Sequence, residues 1–259
     1  IVILIIVLII SFLIHIYSIS YIEYEPHAAK FFSYLSLFTF FIIVIVTANN
    51  YLQLFIGWEG IGLCSYLLIG FWYIRLQATK GALQALVINK IGDFALLLTI
   101  LFIFILNNSV DFISLWNILP NFYNWDVYLG GSYFAVLDLI NFGFLIAAVA
   151  KSAQFGLNTW LLSAIEGPTP VSALLHAATI VTAGIFLILR SSNLLYYSPN
   201  IMILIINFGV ITAFFAATCG LVQHDIKKII AFSTCSQLGY IFYACGLGEY
   251  QICLFHLTN

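Results

Sequence analysis

Phe142-Gly-Phe-Leu-Ile-Ala-Ala-Val-Ala-Lys151-Ser-Ala-Gln-Phe155 is the stretch that decides the fold. Nine residues without a charge lead into a lysine, and the chain then stays uncharged to Ile165. A membrane helix is the reading that fits such a run. A charge at the bilayer centre costs roughly 3 kcal/mol on insertion scales. A chain keeps one where it faces a partner or a wet path. Glu59, in Phe55-Ile-Gly-Trp-Glu59-Gly-Ile-Gly62, poses the same question with the opposite sign. Two opposite intramembrane charges point to proton or ion handling.

The rest of the chain agrees. Of 259 residues, 63% are hydrophobic and only 7% charged, with a mean hydropathy of +1.11. Soluble domains carry about 25% charged residues. The apolar runs are continuous and near the length of about 20 residues that a spanning helix needs, not the short alternating segments of a β-barrel. The expectation is an all-α polytopic membrane protein of about nine transmembrane helices. They are placed over 1–20, 31–48, 50–73, 81–106, 134–162, 169–190, 201–222 and 226–247, with an incomplete one from 249. A formal charge of -2 gives no sign of a nucleic-acid partner. Cys64, Cys219, Cys235, Cys245 and Cys253 form no CxxC pair and are read as small apolar fillers. No nucleotide-binding glycine motif is present.

Loop charges set the orientation. One set of alternate loops collects Lys30, Arg75, Lys80, Lys227 and Lys228; the other holds Arg190 with Asp111, Asp126 and Glu249. The lysine-rich side is the cytoplasmic or matrix side. The fifth span runs into Glu166-Gly-Pro168-Thr-Pro170. Two prolines and a glycine free backbone groups that hydrocarbon cannot satisfy. One reading is a helix broken near 162–170, of the kind that transporters place at the midplane. The other is a sixth helix started by proline after an ordinary loop.

The polar residues within spans are Glu59, Lys90, Asp93, Lys151, His176, Lys227, Lys228 and His256. Lys90 and Asp93 lie three apart, one helical turn, and can pair. His176 titrates near neutrality and can relay protons. Lys227 and Lys228 open a helix, and one of them has the length to snorkel to the interface. Burial favours a neutral amine and a nearby carboxylate favours the ammonium. A lysine whose carboxylate can approach or withdraw is therefore a proton switch. Glu59, on a separate helix, is the expected partner of Lys151.

The blocks Gly57-Trp-Glu-Gly-Ile-Gly-Leu-Cys-Ser-Tyr-Leu-Leu-Ile-Gly-Phe-Trp72, Lys151-Ser-Ala-Gln154, Glu166-Gly-Pro-Thr-Pro-Val-Ser-Ala-Leu-Leu-His-Ala-Ala-Thr179 and Asp225-Ile-Lys-Lys-Ile-Ile-Ala-Phe-Ser-Thr-Cys-Ser-Gln-Leu-Gly-Tyr240 carry a resemblance to a known family. They resemble subunit 5 of mitochondrial NADH:ubiquinone oxidoreductase, respiratory complex I. The tryptophan-glutamate block sets it apart from the family's subunits 2 and 4 and from Mrp-type sodium/proton antiporters. The resemblance implies a proton-translocating membrane-arm subunit; the alternatives are an Mrp-type sodium/proton antiporter subunit and a non-pumping structural fragment of complex I. NADH, FMN, iron-sulfur clusters and ubiquinone would sit in other subunits, with none in this chain. The partners would be other membrane-arm subunits, subunit 4 above all, and membrane lipids. The location would be the mitochondrial inner membrane; the chain's many Phe, Ile, Tyr and Asn have AT-rich codons, as in an organellar genome.

The same resemblance assigns roles. Glu59 and Lys151 would be the charge pair that drives proton movement, with Lys90 and Asp93 beside it. His176 and Lys227 would relay the proton, and His256 would be the first histidine of a later relay. Residues 1–30 would be a leading helix and loop, 31–190 a first five-helix repeat in full, and 191–259 the start of a truncated second, inverted one. The chain departs from the family at Leu161-Leu-Ser-Ala164, where Leu-Pro-Asp-Ala is usual, at Asn158, commonly histidine or glutamine, and at Lys90, more often arginine.

Overall fold

The computed structural model describes residues 2–122, 125–129 and 132–258, and of these all side chains but those at 118, 121, 129, 132 and 176–178. Among the described residues, six helices are long and apolar enough to cross a membrane: α1 (Val2–Tyr21), α2 (Ala28–Val46), α3 (Tyr51–Ile69), α4 (Leu76–Asn107), and two that follow the broken region. Between α4 and that region come α5 (Phe112–Phe122), a hairpin of β1 (Asp126–Leu129) and β2 (Ser132–Ala135), and α6 (Val136–Lys151). The chain continues through α7 (Thr159–Ser163), a 3-10 turn at Ala164–Glu166, α8 (Thr169–Ala173), a π-helical turn at Leu174–Thr179, α9 (Ile180–Arg190) and α10 (Ser192–Leu195). The two further long helices, α11 (Pro199–Leu221) and α12 (Ile226–Gly246), pack against each other, and α13 (Tyr250–Thr258) follows.

Local chemistry places several ends. Asn50 caps α3 by accepting the amide of Gln53 at 2.6 Å, as a short polar side chain does at that position. α4 stops at Asn108, which takes the left-handed conformation at φ 53° that asparagine tolerates. Pro199 opens α11 in its first turn, where its missing N–H is not needed.

The stretch left between the spans expected over 81–106 and 134–162 carries structure of its own. α5 and the hairpin occupy it, with Val127 opposite Phe134 and Tyr128 opposite Tyr133. Asn50 bridges Asp111, Tyr51 Oη lies 3.1 Å from Ser191 Oγ, and Arg190 donates to the carbonyl of Ala48 at 2.9 Å. These contacts gather the Arg190 loops at one end of the bundle. Trp72 donates to Glu25 at 3.1 Å and Tyr21 meets Thr169 at 3.3 Å at the other, lysine-rich end. The alternation of loops inferred from charge is the alternation seen.

The span expected over 134–162 is not one helix. α6 ends at Lys151, and the chain leaves helical geometry over 152–158 before α7 begins. Ala153 takes φ 49° and Gly156 φ 93°. Freed backbone groups find distant partners. Cys235 Sγ donates to the carbonyl of Ala153 at 3.2 Å. The amide of Phe155 donates to Thr212 Oγ1 at 3.0 Å. Trp160 Nε1 holds the carbonyl of Ala150 at 2.9 Å, and Ser152 Oγ that of Val181 at 2.7 Å. The interruption therefore begins about ten residues before the expected 162–170 and extends into it through the 3-10 turn and Gly167. Pro168 and Pro170 start α8, the second of the two sequence readings. Cys245 and Cys253, expected as separate apolar fillers, are joined as a disulfide between α12 and α13.

The core lies where α3, α4, α6 and α9 meet, around Trp58, Leu96, Phe144, Trp160, Val181 and Ile185. Gly92 makes the α4–α6 contact possible. A Cβ there would stand 2.6 Å from that of Ala150 and 3.3 Å from Ala147 Cα. Small residues at such crossings let helix backbones approach in lipid. Replacing Gly92 with Val should push α4 off α6 and cost about 1–3 kcal/mol, the usual penalty for overpacking. Thermal unfolding of the detergent-solubilised protein would register this as a lowered midpoint, and an unchanged midpoint would refute the tight crossing. A Cβ added at Gly156 would meet no other residue within 4 Å. Gly156→Ala should therefore destabilise through backbone strain alone, by about 1–2 kcal/mol.

Candidate functional site

Four charged residues on three helices form one chain at the centre of the bundle. Glu59 stands midway along α3, Lys90 and Asp93 midway along α4, and Lys151 is the last residue of α6. The i,i+3 spacing puts Lys90 and Asp93 on one face, and Lys90 Nζ lies 3.7 Å from Asp93 Oδ2. Lys90 also forms an ion pair with Glu59. Lys151 Nζ lies 3.3 Å from Asp93 Oδ1. The order is Glu59–Lys90–Asp93–Lys151, alternating in sign.

This corrects the expected Glu59–Lys151 pair. Asp93 is the direct partner of Lys151, and Glu59 reaches it only through Lys90. The reason is helix packing. Gly92 brings α4 against the end of α6, so the carboxylate one residue further on meets the ammonium before Glu59 can. The i,i+3 pairing of Lys90 with Asp93 is present as expected.

The ends of the chain differ in burial. Asp93 and Lys151 are 2% and 1% exposed, while the Lys90 and Glu59 side chains are 53% and 32% exposed. A buried ammonium is tolerable where paired and hydrogen-bonded. Lys151 meets that condition through Asp93, through the carbonyl of Trp58 at 3.3 Å and by lying 5.5 Å above the Trp58 ring, within cation–π range. Trp58 Nε1 in turn donates to Asp93 Oδ1 at 2.8 Å. Gly62 leaves room for the ammonium; a Cβ there would come within 3.1 Å of Nζ. A cavity of about 440 Å³ opens beside the group, with Glu59, Lys90, Asp93 and Asn89 in its wall and Phe41, Phe55 and Leu86 around them. The arrangement can hold a proton at a buried amine and alter its hold by moving charge at an accessible edge.

The remaining expected site residues lie apart from this group. The side chain of His176 falls outside those described; its backbone lies in the π-helical turn at Leu174–Thr179. Lys227 is exposed near the start of α12 and lines a cavity of about 240 Å³ with Thr169, Ser172 and Thr234. Lys228 lies 3.7 Å from Asp225 at the lysine-rich end. His256 Nε2 is 3.1 Å from Gln237 Oε1 in an exposed position on α13. Among the described residues no ion pair joins Lys227 or His256 to the Asp93 group. Two members were missed by sequence reasoning. Trp58 precedes Glu59, and its indole nitrogen could have been read as a donor needing a partner. Asn89 stands one turn before Asp93, the spacing that puts a second polar group on the same face.

Comparison with known proteins agrees with this architecture. Residues 48–259 match the family model described as "NADH:quinone oxidoreductase/Mrp antiporter, TM", and residues 1–32 match "NADH-Ubiquinone oxidoreductase (complex I), chain 5 N-terminus". The chain is 54% identical over 256 residues to NADH-ubiquinone oxidoreductase chain 5 of Chondrus crispus, covering 99% of this chain and 38% of that protein. It is 52% identical to chain 5 of Marchantia polymorpha, covering 99% and 39%. It thus spans less than two fifths of the length of these relatives. Among solved structures, the Mrp complex of Dietzia sp. DQ12-45-1b has a chain 28% identical with a TM-score of 0.86, covering 99% of this chain and 28% of that one. An archaeal membrane-bound sulfane sulfur reductase shares the fold, at 19% identity and a TM-score of 0.82, over 98% of this chain and 51% of that one. With its apolar spanning helices, its half-buried alternating charge chain and the match over residues 48–259, the chain belongs to the NADH:quinone oxidoreductase/Mrp antiporter transmembrane family.

Proposed function

We propose that the chain is a proton-translocating membrane-arm subunit of respiratory complex I, NADH:ubiquinone oxidoreductase, in the mitochondrial inner membrane. The observation that carries this is the buried Lys151–Asp93 pair, tied through the exposed Lys90 to a half-buried Glu59. The high identity to chain 5 relatives supports it.

The geometry suggests how the residues act. Asp93 holds the proton on Lys151 by favouring the ammonium. Lys90 competes for the same carboxylate. When Lys90 leans to Glu59, Asp93 serves Lys151 and the amine keeps its proton. When Lys90 turns to Asp93, that attraction is shared and Lys151 can release the proton. Glu59 sets the lean, so a charge change at the exposed edge travels inward by two ion-pair exchanges. The proton leaving Lys151 would pass by way of His176 toward Lys227, whose cavity lies at the lysine-rich end. His256 would belong to a later relay. Redox chemistry with NADH, FMN, iron-sulfur clusters and ubiquinone would take place in other subunits.

An ion pair whose lysine is about half exposed at mid-membrane depth is costly against acyl chains. That exposure of Lys90 and Glu59 supports a neighbouring membrane-arm subunit on this face, with subunit 4 the proposed one and lipids elsewhere. The Mrp-like fold supports a second reading, sodium/proton antiport. It predicts sodium-dependent exchange without quinone turnover.

Replacing Lys151 with Met should abolish proton pumping while the complex still assembles. Proton uptake by reconstituted vesicles would show this, and normal pumping by an assembled variant would refute the role. Asp93→Leu strands the Lys151 charge, and breaking a buried pair this way costs about 3–5 kcal/mol. The yield of assembled complex on native gels should fall. Adding Lys151→Met to the same chain should restore the yield without restoring pumping. If the double variant assembles no better than Asp93→Leu alone, the two residues are not a pair.

A further inference from the structure

Asn89 is a buried group that the relay above leaves without a task. It lies on α4 one turn before Asp93, is 2% exposed, and lines the cavity beside Glu59, Lys90 and Asp93. Neither its amide nitrogen nor its oxygen has a hydrogen-bond partner among the described residues. Asp93 Oδ2, in the same wall, also lacks one within hydrogen-bond distance, since Lys90 stands 3.7 Å away. Buried polar groups are almost always satisfied, and two unpaired faces of one amide make a strong demand. Asparagine supplies both a donor and an acceptor. Water needs a polar site of at least about 10–15 Å³ with two to four partners. The cavity offers about 440 Å³, ample for several molecules. Its polar wall is the α3–α4 seam; Phe41, Phe55, Ile56, Leu63 and Leu86 line the rest, and one side is open.

We propose that Asn89 is a positioning residue that anchors a short water chain in this cavity, linking the Glu59–Lys90 pair to Asp93 Oδ2. The inference rests on the pumping role of Lys151 proposed above. The step is a proton transfer alone. A proton given up by the Glu59 carboxyl passes through the anchored waters to the Asp93 carboxylate. It goes on to the neutral amine of Lys151, which becomes the ammonium, and Asp93 is left ionised again. Asn89 does not exchange a proton. It fixes the water that joins Asp93 Oδ2, which has no donor within hydrogen-bond distance among the described residues, to the Glu59–Lys90 pair.

A density map of the assembled wild-type complex that resolves water tests this directly. Ordered water should lie within hydrogen-bond reach of both ends of the Asn89 amide and of Asp93 Oδ2. A side chain of another subunit seated on that amide would overturn the proposal. The paired functional test replaces Asn89 with Leu, close in size but unable to hydrogen bond, and with Ser, which restores a hydroxyl and leaves room for water. Protons pumped per NADH oxidised should fall about tenfold in Asn89→Leu, less than the roughly hundredfold or more that a proton-donating group itself supplies. Asn89→Ser should recover most of it. Wild-type pumping in an assembled Asn89→Leu complex refutes the water chain. If Lys151→Met abolishes pumping in the same preparation, only this inference fails; if Lys151→Met pumps normally, the parent reading has failed as well. Should Asn89→Leu not assemble, the wild-type map decides.

Discussion

The Asp93 carboxylate is the constraint on which the rest of the structure depends. It accepts from Lys151 and Trp58 on one oxygen and faces Lys90 with the other. Without it a 1% exposed ammonium would lie in hydrocarbon with one carbonyl and an indole face for company. Two lysines compete for one buried carboxylate, and only one of them can reach outward. That asymmetry turns a structural ion pair into something an event at the protein surface can bias.

The architecture around Asp93 follows from bringing three helices to one point. α6 must stop there, so that its last side chain can turn inward and the carbonyl of Ala150 can be met by Trp160. α4 must come close, which Gly92 allows. α3 must present an indole donor and leave a gap for the ammonium, which Trp58 and Gly62 supply. The backbone released after Lys151 is then satisfied by α11 and α12, and the Ser152 hydroxyl ties the segment to α9, so the irregular segment is enclosed by protein. This is the condition under which non-helical backbone is tolerated at membrane depth.

The sequence made the class of fold, the loop alternation and the charged residues legible, because hydropathy and charge are properties of single positions and short windows. Lys90 and Asp93 were legible as a pair because one helical turn relates them. The partner of Lys151 was not, since it depends on which of two neighbouring helices approaches more closely, and that is decided by a glycine beside Asp93. The start of the break was misplaced for a related reason. Prolines signal locally, whereas Ala153 ends α6 with no signal of its own and is held by Cys235 more than eighty residues away. α5 and the hairpin were hidden in the stretch between the spans placed at 81–106 and 134–162, which carries no long apolar run to mark them.

The most direct measurement is an infrared difference spectrum of the assembled complex, resting against turning over, with the Asp93 bands assigned by subtraction of an Asp93→Asn variant. The account predicts an ionised carboxylate at rest whose band shifts during turnover as Lys90 and Lys151 exchange their hold on it. A carboxyl group that is protonated at rest, or a carboxylate band that turnover leaves unmoved, would contradict it.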